Sequence, residues 1–129
     1  QSRSSAASDV YKRQEAYVVM NLYPYNAGHL LICSFRHVAD LTDLTESERN
    51  EILALTAHAM ETLRKVSSPA GFNLGMNQGA VSGAGVAGHI HQHVVPRWSG
   101  DANFMPIIGQ TKVLPQLLQE TRSALAKAW

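Results

Sequence analysis

Residues Gly88 to Trp98 read GHIHQHVVPRW, and histidine recurs there at every second position of an otherwise apolar run. Side chains alternate across a β-strand, so His89, His91 and His93 share one face while Ile90, Gln92 and Val94 share the other. Three unpaired imidazoles inside a core would be costly, so this face is either a site or open to solvent. A single buried histidine is usually a satisfied core residue, but three in strict alternation argue for chemistry. Two chemistries fit the pattern. His-x-His on a strand can direct two rings to one metal ion, zinc above all. Alternatively, one imidazole is a nucleophile and its neighbours orient it or bind the substrate.

The flanking sequence weighs between the two. No Asp or Glu lies between Glu61 and Asp101 to add a ligand or an acid–base group. What precedes the histidines is the glycine-rich run QGAVSGAGVAG, with Gly79, Gly83, Gly85 and Gly88 and one hydroxyl at Ser82. Glycine permits backbone turns in which successive N–H groups converge on an anion. A phosphate held beside a nucleophilic histidine is the economical reading, with no metal bound by the protein.

Outside this region, composition sets bounds. The chain has 129 residues, 45% hydrophobic and 16% charged, enough for one domain with a modest core. Its net charge of +1 gives no basic field for nucleic acid or an anionic membrane. Cys33 is the only cysteine, which rules out an internal disulfide and a Cys-rich zinc site and fits a reducing, cytoplasmic compartment. No stretch approaches the roughly 20 apolar residues of a membrane span, and no signal-peptide core is visible. Residues 1–14, QSRSSAASDVYKRQ, stand apart in composition, and Asp9 to Gln14 match one reading frame of a transposon-derived sequencing adapter. This segment is expected to be a non-native leader, with one domain over residues 15–129 that lacks its own N-terminal part. Without the leader, loss of Arg3, Lys12, Arg13 and Asp9 turns the net charge from +1 to −1.

Along the domain, Ala16 to Leu22 reads as a buried strand and His29 to Phe35 as its return. The turn between them is YPYNAG, rich in turn formers. Residues 43–66 are the clearest helix. Thr45 with Glu48 forms a capping box, and Ile52, Leu55, Ala59, Leu63 and Val66 recur at helical spacing. Pro69 predicts its end before Ser67. Gly71 to Asn77 resumes as a strand, the histidine strand follows, and Leu114 to Trp129 forms a second helix. The order predicts an α+β fold: an antiparallel sheet with one main helix on a face and a C-terminal helix.

These residues carry a family resemblance. HIHQHVV resembles the His-φ-His-φ-His-φ-φ signature of the histidine triad (HIT) superfamily, with Gln92 departing from the apolar consensus. VPRWSGDANF and NLYPYNAGHLLICSFRHVADLTDLT are similar to the branch that acts on dinucleoside polyphosphates, and most to actinobacterial diadenosine tetraphosphate phosphorylases, or ATP adenylyltransferases. The resemblance extends over Glu15 to Trp129. It implies a HIT-like fold and a nucleotidyl transferase that cleaves diadenosine polyphosphates through a nucleotidyl-histidine, with inorganic phosphate as acceptor. A hydrolase using water and a nucleotide-binding module without turnover are the alternatives.

Residue by residue, the resemblance makes His91 the nucleophile and His93 a hydrogen-bond donor to the transferred group. His89 and His29 would hold the tautomers. Asn21 would contact ribose, and Asn77 with the loop through Gly83, Gly85 and Gly88 would line the phosphates. Arg97 is a candidate for a further phosphate contact, because guanidinium grips phosphate bidentately. Relatives often carry Gln or Ser just before the triad, where this chain has GAGVAG and must rely on backbone donors. The resemblance further implies a homodimer near Asn73 to Met76 and the first helix. No cofactor is expected to be tightly bound, Mg2+ could accompany the polyphosphate, and in some relatives N-terminal cysteines hold zinc. His58 and His37 read as a helix-surface and a solvated turn residue, and Cys33 as buried and inert.

Overall fold

A computed structural model of the chain describes residues 9–21, 28–82, 88–99 and 114–129. Five strands form one antiparallel sheet: β1 (Asp9–Lys12), β2 (Ala16–Met20), β3 (Leu30–Ser34), β4 (Gly71–Met76) and β5 (His91–Arg97). Their spatial order is β1-β2-β3-β5-β4, so the histidine strand lies inside the sheet, paired with β3 on one side and β4 on the other. Helix α1 (Glu46–Ser67) and helix α2 (Leu114–Ala128) complete the α+β architecture. No helix among the described residues is long and apolar enough to cross a membrane.

Alternation explains why the sheet has two different faces. Val18, Leu30, Ile32 and Val94 point to one side and pack with Ile52, Leu55, Ala59 and Leu63 of α1 and Leu125 of α2 in a single core. Tyr17, Val19, Leu31 and Cys33 point to the other side and form a smaller cluster. The register then places the histidines, because Leu31 pairs with His93 and Cys33 with His91. Directly opposed residues share a face, so the imidazoles lie on the side away from α1.

Helix α1 begins as expected. Thr45 Oγ1 accepts the Glu48 N–H at 3.0 Å, and Glu48 Oε1 accepts the Thr45 N–H at 2.8 Å. Its far end differs from the expectation: the helix includes Ser67, and Ser68 takes a left-handed conformation at φ 49° while its N–H still reaches the Arg64 carbonyl. Proline disfavours helical geometry only in the residue directly before it, so the helix runs through Ser67 and ends at Ser68.

A second difference lies in residues 9–12, where no strand is expected from the sequence. Asp9–Lys12 pairs antiparallel with β2, and Val10 is buried in the main core. One apolar residue on an edge strand produces no periodicity to read, whereas the open hydrogen-bonding edge of β2 is a template for any extended segment.

Gly28 ends the connection into β3 at φ +92°, and a Cβ there would stand 3.0 Å from Leu63 Cδ2. The positive φ favours glycine, and a Cβ would also force Leu63 to give way by a few tenths of an ångström. Gly28 delivers the next residue, His29, into the sheet opposite Asn21, whose N–H donates to the His29 carbonyl at 2.9 Å.

Candidate active site

His89 stands just before β5, where the Ile90 N–H donates to the Val38 carbonyl at 2.8 Å. Its Nε2–H donates to the Ser34 carbonyl at 2.8 Å, and because a carbonyl only accepts, the tautomer is set. The ring is buried, and this burial lowers its pKa despite the opposing effect of the Ser34 hydrogen bond. His91 follows at 6.5 Å between ring centroids and nearly edge-on, at 78°. A ring N–H of His91 meets the backbone carbonyl of His89, which leaves the other ring nitrogen with its lone pair. Burial first, then the neighbouring His93, lowers the His91 pKa, so the ring is the free base near neutral pH. A half-buried neutral imidazole with one nitrogen anchored and a lone pair on the other has the chemistry of a nucleophile.

His93 lies 5.5 Å from His91, again nearly edge-on at 68°. Its Nδ1 is 3.0 Å from His29 Nε2, and His29 Nδ1 is 3.0 Å from Asn21 Nδ2. Burial lowers the His93 pKa, and burial with the coulombic effects of His93 and His91 brings that of His29 down to about 4. All four imidazoles are therefore neutral together, which a cluster of this density requires.

The structure brings His29, His89, His91 and His93 into one continuous group, joined by Asn21. Asn77 directly follows Met76, the last residue of β4, which pairs with Gln92, and Gly88 directly precedes His89. Gly83 and Gly85 lie outside the described residues. Arg97 is not brought to the cluster: it is six positions beyond His91 on β5, about 20 Å along an extended strand. Its guanidinium donates to Asn73 Oδ1 at 2.6 Å. Among the described residues, no group of three or more His, Cys, Asp or Glu side chains is disposed to hold a metal ion.

Two participants escaped the sequence reading. His37, read as a solvated turn residue, is exposed but stacks on the His89 ring at 4.3 Å and 21°. Nothing in its local sequence announces a contact across 52 positions. Gly75 pairs with His93, and among the described residues a Cβ built on it would meet nothing within 4 Å. Here a signal existed, since glycine inside a strand marks a close approach by another group. His58, by contrast, is a helix-surface residue as read, partly buried against Trp129 and Tyr11, and Cys33 is buried.

A helix-backed antiparallel sheet with alternating histidines on the face away from α1 defines the class, and the chain belongs to the HIT domain family, whose model matches residues 2–100. Among particular relatives, it is 53% identical over 113 residues to AP-4-A phosphorylase of Mycobacterium tuberculosis (strain ATCC 25618 / H37Rv), covering 88% of this chain and 58% of that protein. It is 32% identical over 91 residues to the asymmetrical bis(5'-nucleosyl)-tetraphosphatase of Schizosaccharomyces pombe, covering 70% of this chain and 50% of the relative. The chain thus spans between half and three fifths of these relatives. A Hit-like protein from Bartonella henselae shares the fold at a TM-score of 0.75 and 21% identity, over 94% of this chain and 85% of its own.

Proposed function

We propose that the chain is a nucleotidyl transferase that cleaves diadenosine polyphosphates by way of a nucleotidyl-histidine on His91, with inorganic phosphate as the acceptor. The observation that carries this is the state of His91: half-buried, neutral, one ring nitrogen spent on the His89 carbonyl and the other left with its lone pair. In the first step that lone pair attacks the α-phosphorus of diadenosine tetraphosphate in line. A P–N bond forms, the P–O bond to the remaining phosphates breaks, and ATP leaves. In the second step an oxygen of inorganic phosphate attacks the same phosphorus, the P–N bond breaks, and ADP is released with His91 restored. Two displacements with a modest barrier each replace one difficult displacement between anions. His93 supplies a hydrogen bond to the phosphoryl oxygens, His89 fixes His91 through its carbonyl, and His29 holds His93. Asn77 and the backbone leading through Gly88 border the phosphates. Donors that stand ready where charge develops are worth most in a partly desolvated site such as this.

The name of the Mycobacterium tuberculosis relative, similar over most of this chain, favours phosphate as acceptor. The name of the Schizosaccharomyces pombe relative favours a second reading, in which water attacks the intermediate and AMP is released. Chromatography of the products from diadenosine tetraphosphate, with and without inorganic phosphate, separates them. ADP and ATP formed only with phosphate support the proposal, and AMP formed regardless supports the hydrolase. His91→Ala should abolish turnover and keep nucleotide binding; unchanged turnover refutes the nucleophile. The open edge of β4, with Leu74 exposed on it and Leu53 exposed on α1, is the surface proposed for a homodimer, tested by light scattering on the purified chain.

A further inference from the structure

We infer that Asn21 is a positioning residue for this reaction: its amide sets the direction of the hydrogen bonds running through His29 to His93, so that His93 turns an N–H, and not a lone pair, toward the phosphoryl group. The inference rests on the reading of His91 as nucleophile and deepens it.

An amide nitrogen only donates, so at 3.0 Å from Asn21 Nδ2 the Nδ1 of His29 must accept. A neutral imidazole has one proton, which His29 then carries on Nε2. That nitrogen lies 3.0 Å from His93 Nδ1, which must accept in turn and leave the His93 proton on Nε2. The ring that faces the reacting group is therefore a donor. Turned the other way, it would present a lone pair to anionic phosphoryl oxygens, which repels where it should bind.

Nothing else in the group can do this for His29. His89, His91 and His93 each accept or donate according to tautomer, and His29 could serve His93 in either sense. The asparagine presents its amide nitrogen to His29, and that nitrogen can only donate, so it sets the sense of the bonds that follow. Its place is fixed as well, since the Asn21 N–H donates to the His29 carbonyl and holds the two residues face to face. The low pKa of His29, about 4, keeps the relay in its singly protonated form at working pH. The amide that the family resemblance gives to ribose is thus engaged with an imidazole.

The test uses Asn21→Asp in the full chain at pH 8. A carboxylate only accepts, so His29 moves its proton to Nδ1, its Nε2 becomes an acceptor, and His93 must carry its proton on Nδ1. Ring-nitrogen NMR on protein labelled with 15N-histidine reads this directly: His93 is expected as Nε2–H in the wild type and as Nδ1–H in the variant. With diadenosine tetraphosphate, kcat is expected to fall about 100-fold at pH 8, the loss associated with one misdirected oxyanion donor. The loss should shrink toward pH 6, where His29 beside the new carboxylate takes a second proton and donates again from both nitrogens. A purely structural role predicts a loss independent of pH, and a ribose contact alone predicts a raised KM with kcat intact; either overturns the inference. Should the variant not fold, the wild-type spectrum suffices, because His93 found as Nδ1–H overturns it too. Wild-type tautomers as assigned but no turnover of the dinucleotide would instead sink the proposed activity and leave the hydrogen-bond direction established.

Discussion

Acid should unfold this protein through His29, and the size of the effect follows from its burial. The ring is 8% exposed and its pKa stands at about 4 against an ordinary 6.5. At pH 7 folded and unfolded chains both hold it neutral. As the pH falls through 6.5 the unfolded chain takes up a proton that the folded chain refuses, so unfolding is favoured progressively until about pH 4, where the folded ring titrates as well. Full stability is therefore present above 6.5 and lost on acidification. Over this window the loss is about 3 kcal/mol, at 1.36 kcal/mol per pH unit. That is a large share of the roughly 5–15 kcal/mol that holds a typical domain together. Urea unfolding of the wild type and of His29→Gln at pH 7, 5.5 and 4 isolates the contribution, because carboxylates that titrate in the same range are common to both proteins. The wild type's advantage over the variant should shrink by about 3 kcal/mol from pH 7 to pH 4. A difference that stays constant with pH would refute the reasoning.

Other substitutions separate stability from chemistry. Gly28→Ala places a Cβ against Leu63 at positive φ, so it should cost about 1–3 kcal/mol in chemical denaturation and disturb His29 with it. Gly75→Val suits a strand and meets no neighbour, so thermal stability should hold while KM for the dinucleotide rises as the space beside His93 fills; an unchanged KM would show that substrate does not use it. Arg36, hydrogen-bonded at 2.7 and 2.8 Å, holds the Glu48 carboxyl down to about 2. That stabilisation is full above about 4.5 and lost as the pH falls toward 2, so Glu48→Gln, which also weakens the helix cap, should flatten the acid limb of the stability curve below pH 4.5.

Period-two alternation made the histidine strand legible, because each of its side chains has only two directions to choose between. Helix α1 was legible for a comparable reason: its capping box and its apolar spacing are both local. What local pattern cannot convey is register between strands. Asn21 and His29 are eight residues apart and meet only because β2 and β3 align Met20 with Leu30. His37 reaches His89 because the backbone of Val38 bonds Ile90. Arg97 was assigned to the phosphates by its chemistry alone, and what the sequence does not convey is its hydrogen bond to Asn73 across the β4–β5 pair. β1 was invisible because an edge strand is held by backbone bonds that every sequence possesses.

The placement of the alternating histidines on an internal strand has a consequence for how such a domain can diversify. Even-numbered positions of β5 anchor the core through Val94 and Pro96, and odd-numbered ones carry His91 and His93. One inserted or deleted residue would turn every side chain beyond it to the opposite side, burying imidazole and exposing valine together. Heritable variation here is confined to replacement in place. Length changes that alter substrate range have to accumulate in the connections that enter and leave the sheet.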